Sequence, residues 1–393
     1  LPYFYLQWIA GTLQTISIKP CKEVPVQTNI YKKPNLLRMR TLIVFLPLFI
    51  LISCSKPVVE QTTPYKPFKT DQLQAGALYA QQKGGASLLV MQNGQIIFEQ
   101  YHNGASSSTP AHIQSGTKGF FAAVVALAIQ EGYISSYEEV IAETITEWQD
   151  INRHPGKRGI RLKHLVSLTS GLSQNLDYIQ GERPLASDIY QYVVDSLTLV
   201  SAPGTRFQYG PSHYYAFGVF LQRKLQNAGI NLNPLQYLES KVLQKIGVTY
   251  SNWVHDAAGN PHIPNGCYIT ASNWIKFGQF LLQNGKWNNQ QIIQEDLVKE
   301  LYTYKGANSG HGVFLWLNNQ NGDATSAGNP PVPAGSPGGI MYYNGYTDLA
   351  GALGAGKNRL YIIPSLNAVI VRQSLDDITD FSDHDFLNIL LPQ

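Results

Sequence analysis

An alcohol and an amine three residues apart stand at the head of a long apolar run: "HIQSGTKGF" carries Ser115 and Lys118, and "FFAAVVALAI" completes the segment. On a helix, residues at i and i+3 share a face, so this hydroxyl and this amine can meet, as a nucleophile and its base must. An ordinary lysine, with a pKa of about 10.4, is almost wholly charged at neutral pH. It becomes a base only where burial or a neighbouring cation lowers that value, and the apolar run behind Lys118 offers the burial. Spacing by itself has a plain alternative, in which Ser115 caps a helix and Lys118 reaches solvent. Ser53 and Lys56 show the same spacing in a segment of quite different character.

Context separates the two readings. "HLVSLTSGL" at 164–172, "PGTRFQYGPSHYYAFG" at 203–218 and "GCYITASNWIKFGQFLLQNGKW" at 266–287 follow in that order. Together with the Ser115 segment they resemble the serine β-lactamase and penicillin-binding-protein superfamily, in its class C-like, esterase-rich branch, over residues 71–391. The resemblance implies that Ser115 forms an acyl-enzyme and that Lys118 takes its proton. Tyr209, in "FQYGP", matches the tyrosine that shares the relay and protonates the leaving group. A phenol beside a cationic lysine is expected to be eased toward its anion. The third element of the superfamily, a K-T-G or H-T-G at a strand, falls on Gly354, Ala355 and Gly356, with the Ser115 and Lys357 amides as the implied oxyanion hole. Two departures bear on substrate. Tyr209-Gly210-Pro211 replaces Tyr-x-Asn, and Gly354 stands where relatives carry Lys or His, so the amide and cation that grip acylamino and carboxylate groups are missing. An ester or small amide is therefore expected ahead of a β-lactam or a D-amino-acid peptide.

The elements that must hold these residues are readable in outline. "DQLQAGALYAQQKGG" reads as a helix closed by glycines, and two β-rich runs flank Asn93-Gly94, a strong hairpin signal because both residues tolerate positive φ. From Ser115 to about Tyr304 the pattern is mostly helical, with Asn233-Pro234 and Ser272–Gly285 marking helix bounds. After a Gly/Pro-rich loop at 319–340, strand signals return in "LAGALGAG", "RLYIIPSL" and "NAVIVRQS", before a closing helix at 381–391. The order predicts an α/β (α+β) chain: an antiparallel five-stranded sheet from both chain ends, flanked by helices, with a helical region inserted. The domain then spans 71–393, residues 71–114 and 305–393 forming its α/β part and 115–304 its helical part. The resemblance makes the fold β-lactamase/transpeptidase-like.

Residues ahead of this domain read as a leader. Residues 1–38 show no period and read as a mis-assigned upstream segment; Met39 reads as the start, with Arg40 and an apolar run at 42–52 ending in "LISC". Cys54 then resembles the lipidated cysteine of a bacterial lipoprotein, residues 39–53 its signal peptide and 54–70 a proline-bearing tether. That predicts a bacterial envelope protein held to the membrane by a lipid, facing the periplasm or the outer surface. The chain holds 29 Lys+Arg against 26 Asp+Glu, a net +3, but residues 1–38 supply +4 of it and the remainder is near neutral. No basic footprint for nucleic acid is visible.

Competing chemistries fit less well. "GALGAGKN" at 351–358 approaches a phosphate-binding loop, yet Asn358 replaces the hydroxyl residue and a strand-like run, not a helix, follows. The nine histidines form no H-E-x-x-H, so neither a metal nor a cofactor is expected. His112 and His213 read as hydrogen-bonded structural residues more readily than as participants, and Trp316, Tyr342 and Tyr343 as pocket or core aromatics. The rival reading is a surface lipoprotein with this fold that is catalytically weak or inactive and binds cell-wall fragments or a protein partner.

Overall fold

Strand Ser87–Gln92 (β1) is buried along its whole length, and its side chains divide by the two-residue period of a strand. Leu88 and Val90 join one core with Leu73, Ala77, Tyr361, Ile370, Phe386 and Leu390, while Leu89 and Met91 join the other with Phe120, Phe277, Ala352, Leu360 and Val369. A strand apolar on both faces must lie between two layers, and the helices Thr70–Gln82 (α1) and Asp383–Leu390 cover one side. Lys118–Gln130 (α2) and Ala271–Leu282 cover the other. The computed structural model describes residues 65–174, 187–318, 341–342, 344–378 and 380–393. The leader, Cys54, most of the tether, the 319–340 loop and Tyr343 lie outside them. Among the described residues no helix is long and apolar enough to cross a membrane.

Asn93 and Gly94 take φ of 52° and 77°, turning β1 back into Gln95–Tyr101 (β2) as their residue types predict. Two minor sheets follow: Ala111–His112 (β3), Asn252–Trp253 (β4) and Cys267–Ile269 (β5) pair in the order β3-β5-β4, and Lys286–Trp287 (β6) pairs with Gln290–Gln291 (β7). Trp316–Leu317 (β8), Ala350–Gly354 (β9), Asn358–Ile363 (β10) and Ala368–Gln373 (β11) complete the main sheet, in the order β2-β1-β11-β10-β9-β8. The sheet is antiparallel, with Val90 opposite Ile370 and Tyr361 opposite Gly351. It has six strands where the sequence pattern predicts five. The sixth, β8, is two residues long, too short to show a period.

One buried ion pair ties the closing helix to this sheet. Arg359 on β10 donates to Asp383 at 2.6 Å from Nε and 3.1 Å from Nη2, and both side chains are almost fully enclosed. Tyr361 Oη donates to the same carboxylate at 2.5 Å. Arg372 and Lys357 are also buried nearby, so Asp383 faces a surplus of positive charge. Removing one member of a buried pair leaves an uncompensated charge, and Asp383→Ala is expected to lower unfolding free energy by about 3–5 kcal/mol, measured by urea denaturation.

Candidate active site

The residues before α2 do not continue it. Gln114–Thr117 forms a 3-10 turn and the α-helix begins only at Lys118, whereas the sequence pattern predicts one helix from Ser115. In a 3-10 turn side chains at i and i+3 eclipse, which brings Ser115 and Lys118 closer to register than an α-helix does. Gln114 enters the turn with φ of 50°, in the left-handed region that a residue with a Cβ adopts at a cost of about 1–3 kcal/mol. Backbone strain thus sits one residue before the hydroxyl.

Lys118 Nζ lies 2.7 Å from Ser115 Oγ and donates to the carbonyl of Pro264 at 2.8 Å. The lysine is 5% exposed, and burial lowers its pKa from 10.5 to about 7. Burial is the whole cause; no neighbouring cation contributes. An amine in that range is substantially neutral at physiological pH. With one hydrogen committed to Pro264, its lone pair can face the Ser115 hydroxyl. The rings of Tyr209 and Tyr214 stand 5.2 and 5.1 Å from the same nitrogen and close the apolar niche.

Tyr209 shares a hydrogen bond with Ser115, but its ionisation runs against expectation. Burial pushes its phenol up to about 12, and the Ser115 hydrogen bond and Arg359 only moderate this. The Lys118 nitrogen lies 5.2 Å from the ring centroid and, being largely neutral, does little for a phenolate. Tyr209 is therefore a protonated phenol, suited to giving a proton.

The strand element reaches the Ser115 turn through Gly354. A Cβ built there would lie 2.0 Å from the Ile113 carbonyl oxygen and 3.0 Å from the Gly116 nitrogen, so β9 presses directly on the Ser115 turn. No side chain fits at that position, so the cation that relatives carry there has no room in this chain. A Cβ at Gly119 would likewise meet Ala352 at 2.7 Å, so small residues set the approach of α2 to β9. Ala355, next along, is exposed at the strand's end. Gly356 and Lys357 turn the chain at φ of 66° and 58°, and the Lys357 side chain is buried near Arg359, Asp383 and Arg372. Asn358 Nδ2 binds the Ala355 carbonyl at 2.8 Å and the His112 carbonyl at 3.3 Å, while Arg359 Nη1 holds the Gly354 carbonyl at 2.7 Å.

A family model described as Beta-lactamase matches residues 70–355, a span that holds Ser115, Lys118, Tyr209 and Gly354. The chain belongs to the Beta-lactamase family. The family's members are hydrolases. An uncharacterized protein of Alkalihalophilus pseudofirmus is 24% identical over 311 residues, covering 73% of this chain and 83% of its own. Among solved structures, a candidate β-lactamase from Bacteroides dorei superposes with a TM-score of 0.63 at 17% identity, over 82% of this chain and 99% of that one. EstCE1, a hydrolase with promiscuous acyltransferase activity, gives 0.57 at 15%, over 81% and 96%. A penicillin-binding protein from Bacillus halodurans gives 0.56 at 15%, over 80% and 98%. These likenesses share the β-lactamase/transpeptidase-like fold.

Around Ser115 and Lys118, several partners carry no sequence signal. The Pro264 acceptor is main chain, and Tyr214 is one tyrosine among 23. Gln174 fills the space beside Gly210, where a Cβ would meet its Oε1 at 2.0 Å, and accepts from the Ser212 amide at 3.0 Å. His213 is fully buried, accepts from Ser170 Oγ at 2.8 Å and donates to the Gln208 carbonyl at 2.8 Å, which makes it structural. Trp316, on β8, packs 5.5 Å from Tyr209 with part of its surface open. Tyr342 instead belongs to the core on the far side of the sheet.

Lys118→Met should abolish reaction with an active-site acylating probe while stabilising the fold, and the sign with pH is fixed. The unfolded lysine titrates near 10.5 and the folded one near about 7, so the wild type bears the full penalty below pH 7 and loses it as pH rises toward 10.5. Thermal unfolding across that range should show the Met variant's advantage shrinking with pH. Gly354→Ala should depress both stability and probe reactivity, since one methyl already collides with the Ile113 carbonyl; unchanged labelling and melting would show that β9 does not brace the turn.

Proposed function

We propose that the chain is a serine hydrolase acting through an acyl-enzyme on a small neutral ester or amide. The observation that carries this is the Lys118 amine, buried and lowered to about 7, at 2.7 Å from Ser115 Oγ. Neutral Lys118 takes the hydroxyl proton as Ser115 attacks the carbonyl carbon. The Ser115 amide and a main-chain amide of the Gly354–Lys357 turn receive the oxyanion; one such donor is worth about 3–4 kcal/mol. Tyr209 donates its phenol proton to the leaving oxygen or nitrogen and regains one from the Lys118 ammonium. Water, or another acceptor reaching the acyl-enzyme, then releases the acyl group by the reverse relay.

The substrate class follows from what surrounds these groups among the described residues. Position 354 admits no cation, and Lys357, Arg359 and Arg372 are buried around Asp383. Gln174, the amide nearest Gly210, already bonds Ser212 and the Leu172 carbonyl. A carboxylate or an acylamino side chain therefore finds few polar partners, which favours a substrate that carries neither. The fold shared with EstCE1 and with a Bacillus anthracis protein described as a candidate 6-aminohexanoate-dimer hydrolase is compatible with ester and amide chemistry. The penicillin-binding neighbours keep open a protein that binds cell-wall fragments with little turnover. We further propose attachment to the envelope through a lipid on Cys54, which loss of membrane fractionation in Cys54→Ala tests.

Full-length protein should react with a fluorophosphonate and hydrolyse uncharged short-chain esters faster than it hydrolyses penicillins. Ser115→Ala should lose both activities. The rate should rise with pH through about 7 as Lys118 loses its proton. A wild type that neither labels nor turns over esters would reject the enzyme in favour of the binding protein.

A further inference from the structure

We propose that His112 is a positioning residue for this reaction, its single imidazole clamping together the turn that carries the nucleophile and the loop whose carbonyl orients the base. The proposal rests on the Ser115–Lys118 reading above and adds a group that touches neither substrate nor the reacting atoms.

The argument starts from what each ring nitrogen faces. His112 Nε2 lies 2.6 Å from the carbonyl oxygen of Asn265, a group that can only accept, so Nε2 carries the proton. Nδ1 is then the acceptor, and Gln114 Nε2 donates to it at 3.0 Å. One side of the ring therefore holds the residue after Pro264, whose carbonyl receives the Lys118 hydrogen bond at 2.8 Å. The other side holds Gln114, the residue with φ of 50° that sets up Ser115.

One further contact fixes the ring, and two fix the main chain that carries it. It stacks on Tyr268 with centroids 4.2 Å apart and planes 9° from parallel, the two residues facing each other across β3 and β5. Its main-chain carbonyl accepts from Asn358 Nδ2 at 3.3 Å, which links it to the Gly354–Lys357 turn. Next to it, the Ile113 amide donates to the Cys267 carbonyl at 3.1 Å. Burial holds the imidazole below its usual range, which keeps the neutral tautomer that the clamp needs.

A base that accepts a proton from Ser115 must present its lone pair in one direction, and the Pro264 carbonyl supplies that direction by taking one amine hydrogen. If the Pro264–Asn265 loop drifts, Lys118 stays buried but can rotate. A misplacement of about 1 Å in such a group costs up to about a hundredfold in rate. His112 acts on that coordinate and not on the substrate surface.

The test measures inactivation of full-length protein by a fluorophosphonate, separating kinact from KI, together with the unfolding midpoint. His112→Phe keeps a flat ring on Tyr268 but loses both hydrogen bonds; kinact should fall by about tenfold to a hundredfold with KI unchanged. His112→Gln places an amide nitrogen the same number of bonds from Cβ as Nε2 and should restore kinact. His112→Asn places one only as far as Nδ1 and should not. Should the Phe variant fail to fold, the Gln and Asn variants, equally polar, carry the comparison alone. Equal kinact in Gln and Asn, a Phe variant as fast as wild type, or a change confined to KI overturns the clamp while leaving the hydrolase reading intact. A wild type that does not react at all removes both.

Discussion

Everything at this site hangs on an amine kept out of water. Lys118 is placed at the first position of a helix whose next ten residues, Gly119 to Ala128, are all buried, and two tyrosine rings close over it. Desolvation makes the uncharged form accessible, and the short contacts to Ser115 and Pro264 give that form a direction. The structure therefore needs the apolar helix for electrostatics as much as for packing. Stability and reactivity are set against each other in one side chain, because the burial that lowers the amine's pKa also penalises the folded state at neutral pH.

Glycines govern how the parts come together around this amine. At Gly354, Gly116 and Gly119 the backbone approaches Ile113, Trp274 and Ala352 more closely than a side chain allows. Behind β9, buried guanidinium groups hold the turn by its carbonyls: Arg359 takes Gly354 and Asn358, and Arg372 takes Gly356 and Lys357. The charge of these guanidinium groups serves the scaffold, where Asp383 answers it. The resulting strand end is rigid, neutral toward the nucleophile and fixed in register.

Much of this was legible in the residues, for physical reasons that can be named. Ser115, Lys118 and Tyr209 are side-chain chemistry in marked contexts, and the structure brings them together. Strands β1, β10 and β11 are short apolar runs between turn residues, and Asn93-Gly94 announces its own turn. What stayed hidden depends on distance in three dimensions. Pro264 contributes a carbonyl, which every residue possesses. Tyr209's neutral state follows from what encloses it and not from its neighbours in sequence. That position 354 has no room for a side chain shows only when Ile113 is seen against it, and the two residues of β8 are too few for a pattern.

The main sheet joins β1 and β2, from before the nucleophile, to β9, β10 and β11 near the other end of the chain. During synthesis, Ser115 and Lys118 emerge well before Tyr209, Tyr214 and Pro264, which enclose the lysine, and long before β9, which backs the turn. A nascent chain thus holds both groups while water still reaches the lysine, which keeps its charge and cannot accept a proton. The Ser115 turn gains its backing from β9 later still. A sheet closed by such distant partners also assembles slowly, since loop entropy must be overcome before the long-range pairs form.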